Sequence, residues 1–176
     1  MVYRCLICGD TYISEGLSTC PFCGAHTQYM VKTEKWTDLN KGLELTDISR
    51  ENGVTALEIE LKNYAFYDAA ALVAKNEDED ESRSLFRALA KVEGEHASVF
   101  KDILVQYPKF KIDEKAFATT FENFEESLRR ETAAAKFYQV AEDAATETRM
   151  KQVFKALVEV ETDHIIIDKA HLGIKD

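Results

Sequence analysis

Apolar residues recur every three or four positions along most of the chain after residue 48, which is the spacing of one face of an α-helix. The 176 residues include only 7 glycines and 2 prolines, so long helices are favoured over a strand-rich sandwich. Pro108 follows the second periodic segment, where it prevents the helix from continuing. Helices are therefore predicted at residues 50–75, 79–106, 119–144 and 147–171.

One of these apolar faces is interrupted by a histidine. In the second segment Leu89, Val92 and Val99 follow the helical period, and His96 occupies a position where the pattern predicts another apolar residue. Glu93 precedes His96 by three residues, so the two side chains share one helix face. A single Glu-x-x-His is common in helices that bind no metal, and a functional interpretation therefore needs a second observation.

The second observation is an internal repeat. Residues 85–96 align without gaps to residues 153–164, and residues 60–70 align to residues 131–141. The chain is therefore predicted to contain a duplicated helical hairpin. The repeat pairs Glu93 with Glu161, His96 with His164, Glu60 with Glu131, and Tyr67 with Tyr138.

Each of the four helices places an ionisable group on its predicted inward face. Buried carboxylates are costly and repel one another, and two cations between them would remove both penalties. Each histidine would bind one ion, while the glutamate three residues before it bridges both ions. Mixed oxygen and imidazole ligands favour iron or manganese, and this constellation is typical of di-iron and di-manganese four-helix bundles. The predicted ligands are Glu60, Glu93, His96, Glu131, Glu161 and His164.

Two tyrosines follow two of these glutamates at the same distance. Tyr67 and Tyr138 lie two helical turns after Glu60 and Glu131. Their hydroxyls could hydrogen-bond the carboxylates of metal ligands and so orient them. The alternative is that both are core aromatic residues with a polar tip, and the sequence leaves both interpretations open.

The four cysteines form two C-x-x-C knuckles near the N-terminus. Cys5 and Cys8 lie in CLICG, and Cys20 and Cys23 lie in CPFCG, so four thiolates can surround one ion tetrahedrally. The glycine after each knuckle lets backbone N–H groups turn toward the sulfurs. Zinc and iron both accept four thiolates, and the cysteines alone leave both metals open.

The charge of the chain is unevenly distributed. Residues 1–36 hold three basic and three acidic side chains, so the net charge of −10 lies entirely in the helical body. Such a body repels phosphate backbones, and nucleic acid is not expected as a partner. No apolar leader and no segment of membrane-spanning length is found, so we expect a cytoplasmic protein without a membrane partner. Reduced cytosolic cysteines favour metal binding over disulfides.

The N-terminal segment CLICGDTY…CPFCG resembles rubredoxin, including the aromatic Tyr12 after the first knuckle and Pro21 in the second. A rubredoxin-like module followed by the duplicated Glu and Glu-x-x-His set resembles rubrerythrin in its reverse arrangement. The resemblance implies a mainly α fold, in which a small metal-knuckle domain precedes a ferritin-like di-iron four-helix bundle. It divides the chain into a rubredoxin-like domain at residues 1–36, a linker at 37–47 and the bundle at 48–176.

The resemblance also implies a function. Rubrerythrins are peroxidases that reduce hydrogen peroxide to water at the di-iron site, here the six predicted ligands. The family places an Fe(Cys)4 centre at the four cysteines, where it relays electrons from an NAD(P)H-dependent reductase or a rubredoxin. Family members form homodimers in which the rubredoxin domain of one chain serves the di-iron site of its partner, so a homodimer is expected.

One departure from the family pattern keeps other functions open. Rubrerythrins usually carry a further glutamate on the third helix, one turn from the first, whereas the neighbours of Glu131 are Leu128 and Ala134. The ligand set is therefore closer to the six-ligand site of bacterioferritin. The alternatives are an oxidase or ferroxidase that consumes O2, and an iron-binding or storage protein with zinc in a structural ribbon.

Overall fold

The computed structural model describes residues 1–175, so Asp176, the last residue of the predicted bundle range, lies outside the described residues. The mainly α architecture is confirmed. Within residues 1–175, none of the helices has the length and apolar character needed to cross a membrane. The four helices are α1 (Asp47–Asn76), α2 (Asp80–Leu104), α3 (Thr120–Ala144) and α4 (Thr148–His171).

Two helix ends differ from the prediction by more than a residue. Helix α1 begins at Asp47, the last residue of the predicted linker, because the Thr46 hydroxyl accepts a hydrogen bond from the Ser49 N–H at 3.4 Å. Helix α2 ends at Leu104, two residues early, because Val105 adopts a left-handed φ of 59°. Both ends depend on local backbone geometry, which the hydrophobic period does not report.

The helices pack as the two hairpins that the repeat predicts, α1 against α2 and α3 against α4, with α1 also contacting α3. Their buried apolar side chains form two clusters. One contains Leu57 and Phe100, and the other contains Phe66 and Leu89. Glu60 lies between the clusters on α1, as His96 does on α2, so a buried polar layer separates the two apolar regions.

The N-terminal residues form a small antiparallel sheet with two metal knuckles. Its strands are β1 (Val2–Cys5), β2 (Thr11–Ile13) and β3 (Met30–Lys32), in the order β2-β1-β3. We call residues 1–36 the cysteine module. Each knuckle ends at a glycine with positive φ, Gly9 at 82° and Gly24 at 71°. This geometry confirms the predicted metal-knuckle domain.

The cysteine module is packed on the bundle, and the two share one hydrophobic core. Cys23 and Ala25 belong to the same apolar cluster as Phe154 of α4. A Cβ on Gly24 would lie 3.0 Å from Cγ1 of Val160, so a side chain here would force Val160 to shift, and the φ of 71° also favours glycine. The module therefore occupies a fixed position over the middle of α4.

Glu147 joins the starts of α1 and α4. Its carboxylate accepts hydrogen bonds from the Thr46 N–H at 2.6 Å and from the Ser49 hydroxyl at 2.5 Å. Burial alone would raise the pKa of Glu147, but the hydrogen bond from Ser49 and those from the backbone lower it to about 2. A lowered pKa contributes stability that is present above the unfolded value, about 4.3, and is lost as the pH falls through the folded value.

We therefore expect Glu147→Gln to lower the free energy of unfolding at pH 7 by about 1 kcal/mol, since solvent screens this partly exposed group. The loss should disappear near pH 2, where the wild-type carboxyl is itself being protonated. Urea unfolding at both pH values measures the effect, with the exposed Glu125 changed to glutamine as the control. Equal losses at the two pH values would show that the charge of Glu147 is not responsible.

Candidate metal centres

The four cysteines lie together, with their Sγ atoms all within 4.8 Å of one another. The Sγ atoms of Cys5 and Cys23 are 3.7 Å apart and those of Cys8 and Cys20 are 3.8 Å apart, which is far longer than a disulfide bond. Backbone N–H groups of Ile7 and Asp10 point at Cys5 and Cys8, as the knuckle motif predicts. The cluster can therefore bind one metal ion through four thiolates.

The six predicted carboxylate and histidine residues also lie together. We call them the carboxylate–histidine cluster. Five are fully buried, and His164 is 6% exposed. Their ligand atoms form two overlapping groups, within each of which every atom lies within 4.8 Å of the others. Glu93 and Glu161 belong to both groups. The first group is Glu60, Glu93, His96 and Glu161, and the second is Glu93, Glu131, Glu161 and His164.

Both imidazoles lie beside the shared Glu161, and each also lies beside a carboxylate of its own group, Glu60 for His96 and Glu131 for His164. Nδ1 of His96 is 3.5 Å from Glu161 and 3.6 Å from Glu60. Nδ1 of His164 is 2.9 Å from Glu161 and 3.4 Å from Glu93. The two groups thus have the form of two neighbouring ion positions, each with its own histidine.

Many ligand atoms of this cluster are buried without a hydrogen-bond partner among the described residues. A buried polar atom without a partner costs about 1–3 kcal/mol, and more if it is charged. Proteins rarely retain several such atoms in one place. Coordination to cations satisfies carboxylate oxygens and imidazole nitrogens together, so the residues fit a dinuclear metal site. The atoms are Glu60 Oε2, both Glu93 oxygens, His96 Nδ1, Glu131 Oε2 and Glu161 Oε1.

The pKa shifts within the cluster also favour a metal site. Burial, reinforced by the neighbouring carboxylates, raises the pKa of Glu93 and of Glu161 well above its usual range. Burial also acts on Glu60, but the nearby His96 outweighs it and lowers the pKa of that carboxyl. The metal-free cluster must therefore retain protons, and bound cations would take their place.

Comparison with protein families identifies the helical part of the chain. The sequence model of the rubrerythrin family matches residues 51–166, which run from the first turns of α1 into α4. The chain belongs to the rubrerythrin family. Comparisons with curated proteins and with solved structures found no match. The cysteine module precedes the matched residues, so the order of the parts is that of reverse rubrerythrins, and the bundle is the ferritin-like domain of this family.

The two predicted tyrosines cross between hairpins. The hydroxyl of Tyr67, on α1, donates to Glu131 of α3, and the hydroxyl of Tyr138, on α3, donates to Glu60 of α1. Burial raises the pKa of both phenols well above their usual range, so they remain neutral donors. Each tyrosine therefore orients a carboxylate that belongs to the other half of this rubrerythrin domain.

The third helix offers one carboxylate to the cluster. Ala134, one turn after Glu131, is buried and carries no ligand atom, and Leu128, one turn before it, is apolar. Within residues 1–175, neither ion position has a carboxylate from α3 other than Glu131. In this respect the site differs from the usual rubrerythrin pattern, as the sequence predicts.

The two candidate centres meet at a hydrogen bond. Nε2 of His96 lies 2.9 Å from the backbone carbonyl oxygen of Cys23. With the proton on Nε2 donated to this carbonyl, Nδ1 faces the carboxylates with a free lone pair. His26 supports the same interface, because its Nε2 lies 2.7 Å from Asp163 of α4. A cysteine of one centre thus contacts a histidine of the other within a single chain.

Sequence reasoning missed three polar residues near these centres, Arg149, Ser127 and Asp168. Arg149 is 7% exposed and donates to the carbonyl oxygens of the first knuckle. Ser127 and Asp168 are fully buried beside Tyr67. The repeat holds a clue to the last two, because Ala56 and Phe100 occupy their equivalent positions in the first hairpin.

Proposed function

We propose that this protein is a non-haem iron peroxidase that reduces hydrogen peroxide to water, with electrons relayed through an Fe(Cys)4 centre. The observation that carries the proposal is the 2.9 Å contact between Nε2 of His96 and the Cys23 carbonyl oxygen. A structural zinc ribbon or a storage role gives no reason for joining the two centres in this way.

The chemistry needs two electrons and two protons for each peroxide, since H2O2 + 2e⁻ + 2H⁺ gives 2H2O. A bound pair of ferrous ions supplies both electrons together, which avoids releasing a hydroxyl radical. The residues that would hold such a pair form a fully buried layer, in which Glu93 and Glu161 belong to both ligand groups. Histidine and carboxylate donors of this kind suit iron.

The route for the electrons is short and mostly covalent. It runs from Sγ of Cys23 through its own backbone carbonyl and across the hydrogen bond to the imidazole of His96. The family resemblance implies a rubredoxin domain that serves the partner's site, and the contact between Cys23 and His96 supports a relay within the same chain instead. Homodimer formation itself stays a prediction.

The entry point for electrons is the edge of the module at Cys8. Cys8 is the half-buried member of the four cysteines, and a cavity of about 430 Å³ opens beside it. Arg4 and Trp36 line this cavity together with three aspartates, Asp10 of the module, Asp38 of the linker and Asp102 of α2. A separate reductase that draws on NAD(P)H, or a rubredoxin, would deliver electrons here.

Anaerobic stopped-flow spectroscopy tests the proposal. We expect the fully reduced, iron-loaded protein to be oxidised by one equivalent of peroxide faster than by an equal concentration of O2. The absence of a carboxylate at Ala134 favours one other function, an O2-consuming oxidase or ferroxidase. Faster oxidation by O2 would establish that function, and failure of peroxide to oxidise the reduced centre would exclude a peroxidase.

A further inference from the structure

A chain of hydrogen bonds leaves the carboxylate–histidine cluster and ends at a buried aspartate. Glu131 accepts from the Tyr67 hydroxyl, Tyr67 lies 2.8 Å from the Ser127 hydroxyl, and Ser127 lies 2.6 Å from Oδ2 of Asp168. All four side chains are fully buried. Neither Asp168 nor Ser127 belongs to the predicted ligand set, so their burial calls for a different role.

The hydrogen bonds from Glu131 to Asp168 need one more hydrogen than the two hydroxyl groups supply. Three oxygen–oxygen contacts each need one hydrogen between them, while Tyr67 and Ser127 supply one apiece. The third hydrogen must come from a carboxyl group at one end, either Asp168 or Glu131. Moving the extra proton from one end to the other requires only that each hydrogen cross its own contact.

The surroundings place the extra proton on Asp168 at rest. Burial raises the pKa of Asp168 to about 7, and the charge of Glu131 adds to this effect, while Ser127 and His164 act against it. Glu131 is a predicted metal ligand, and a cation bound to it would favour its charged form, which leaves Asp168 as the resting place of the extra proton.

The repeat allows the surroundings of Tyr67 to be compared with those of Tyr138. Tyr138 donates to Glu60 just as Tyr67 donates to Glu131. The positions equivalent to Ser127 and Asp168 are Ala56 and Phe100, both fully buried and apolar. The chain of hydroxyls therefore exists on one side only, and orienting a carboxylate does not require it.

Asp168 is fully buried and lies at the end of the hydrogen-bond chain away from the cluster. It lies one turn before the end of α4, and its Oδ1 has no hydrogen-bond partner among residues 1–175. Tyr67 belongs to the apolar cluster at this end of the bundle, whereas Cys23 belongs to the other cluster. Protons and electrons would thus reach the cluster from opposite sides.

We propose that Asp168, Ser127 and Tyr67 form a proton path that supplies the carboxylate–histidine cluster during peroxide reduction. The proposal rests on the peroxidase function proposed above. Asp168 gives its proton to Ser127, Ser127 gives its own to Tyr67, and Tyr67 gives its own to Glu131, which passes it to a peroxide oxygen. Asp168 is then reprotonated from solvent, and two such transfers supply the two protons that each peroxide consumes.

The test compares Asp168→Asn and Ser127→Ala with Asp143→Asn, which removes an exposed carboxylate from α3. After confirming full metal content, the reduced proteins are mixed with peroxide across pH 5–9 in H2O and in D2O. We expect both path variants to react about 100-fold more slowly, because a positioned proton donor typically accelerates a reaction by about 10²–10⁴-fold. We also expect both to lose the pH dependence near neutrality, while Asp143→Asn behaves as wild type. A wild-type rate, pH profile and isotope effect in Asp168→Asn would overturn the path.

Infrared spectroscopy of the metal-free proteins gives a readout that is independent of activity. Glu93 and Glu161 should give protonated carboxyl bands in all the metal-free proteins. We expect a further band that titrates near pH 7 in the wild type and in Asp143→Asn, and that is absent in Asp168→Asn. A wild type without this band would overturn the hydrogen count. A wild type that peroxide does not oxidise would overturn the peroxidase function instead, and oxidation by O2, which also consumes protons, would then provide the same comparison of variants.

Discussion

Glutamine in place of Glu161 should empty both ion positions of the carboxylate–histidine cluster, because Glu161 belongs to both ligand groups. His96→Gln should empty one position, because His96 belongs only to the first. Mass-spectrometric metal analysis after anaerobic loading distinguishes the two outcomes. The exposed Glu125 changed to glutamine is the matched control and should retain both ions. Full occupancy in Glu161→Gln would contradict the ligand assignment.

The same substitution should stabilise the metal-free protein. Burial raises the pKa of Glu161 above its unfolded value, so its contribution to stability is complete below about pH 4.3 and is lost as the pH rises through the folded value. Glutamine removes this loss, and we expect the free energy of unfolding at pH 7 to rise by roughly 1–3 kcal/mol. Urea unfolding in the presence of a chelator measures it. A metal-free variant less stable than the wild type would contradict the view that burying the Glu161 carboxylate without metal costs stability.

Alanine in place of Arg149 should release the cysteine module from the bundle. The guanidinium donates to the carbonyl oxygens of Leu6 at 2.7 Å and Ile7 at 2.9 Å, and also binds Asn40 in the linker. Hydrogen bonds to a buried charge contribute about 1.5–3 kcal/mol each, so the expected loss is at least about 3 kcal/mol. A loss of that size lowers the ratio of docked to released module about 100-fold.

The expected consequences are faster proteolysis of the linker and slower electron transfer between the centres, with the visible spectrum of the iron–thiolate centre retained. Arg129→Ala is the control, because Arg129 is an exposed arginine that pairs with Glu126 of its own helix. If Arg149→Ala transferred electrons at the wild-type rate, a docking role for this arginine would be excluded.

Much of the fold and most of the site can be predicted from the sequence because both are locally encoded. The Glu-x-x-His pairs and the C-x-x-C knuckles each bring two ligands together within one turn of chain. The repeat then indicates that the two hairpins contribute equivalent ligands, and the structure brings all six together. Metal binding itself stays a prediction for metal analysis to test.

The contacts that could not be predicted connect distant parts of the chain. Nothing in the period of α1 indicates that Tyr67 donates to Glu131 rather than to a residue of its own hairpin. The docking of the module depends on the fit of Gly24 against Val160, two positions separated by most of the chain. The repeat pairs the tyrosines and the glutamates but does not indicate that each tyrosine reaches the other hairpin, and no sequence pattern indicates the contact between Gly24 and Val160.

The two halves of the duplicated site have therefore diverged around a common ligand set. The half that contains His96 meets the cysteine module, while the half that contains Glu131 continues into Tyr67, Ser127 and Asp168. Peroxide reduction consumes electrons and protons together. With this arrangement the electrons would arrive from the cysteine module and the protons through Tyr67, so the two routes would not overlap.

Electron transfer between the two centres can be observed most directly in a single turnover. The fully reduced iron-loaded protein, without any reductase, is mixed anaerobically with two equivalents of peroxide, which accept four electrons against the three that the iron-loaded chain would hold, and the visible absorption of the iron–thiolate centre is followed. We predict that this centre is oxidised after the carboxylate–histidine cluster, at a rate that does not change with protein concentration. A thiolate centre that stays reduced while peroxide is consumed, or one that is oxidised at a rate proportional to protein concentration, would contradict a relay within one chain.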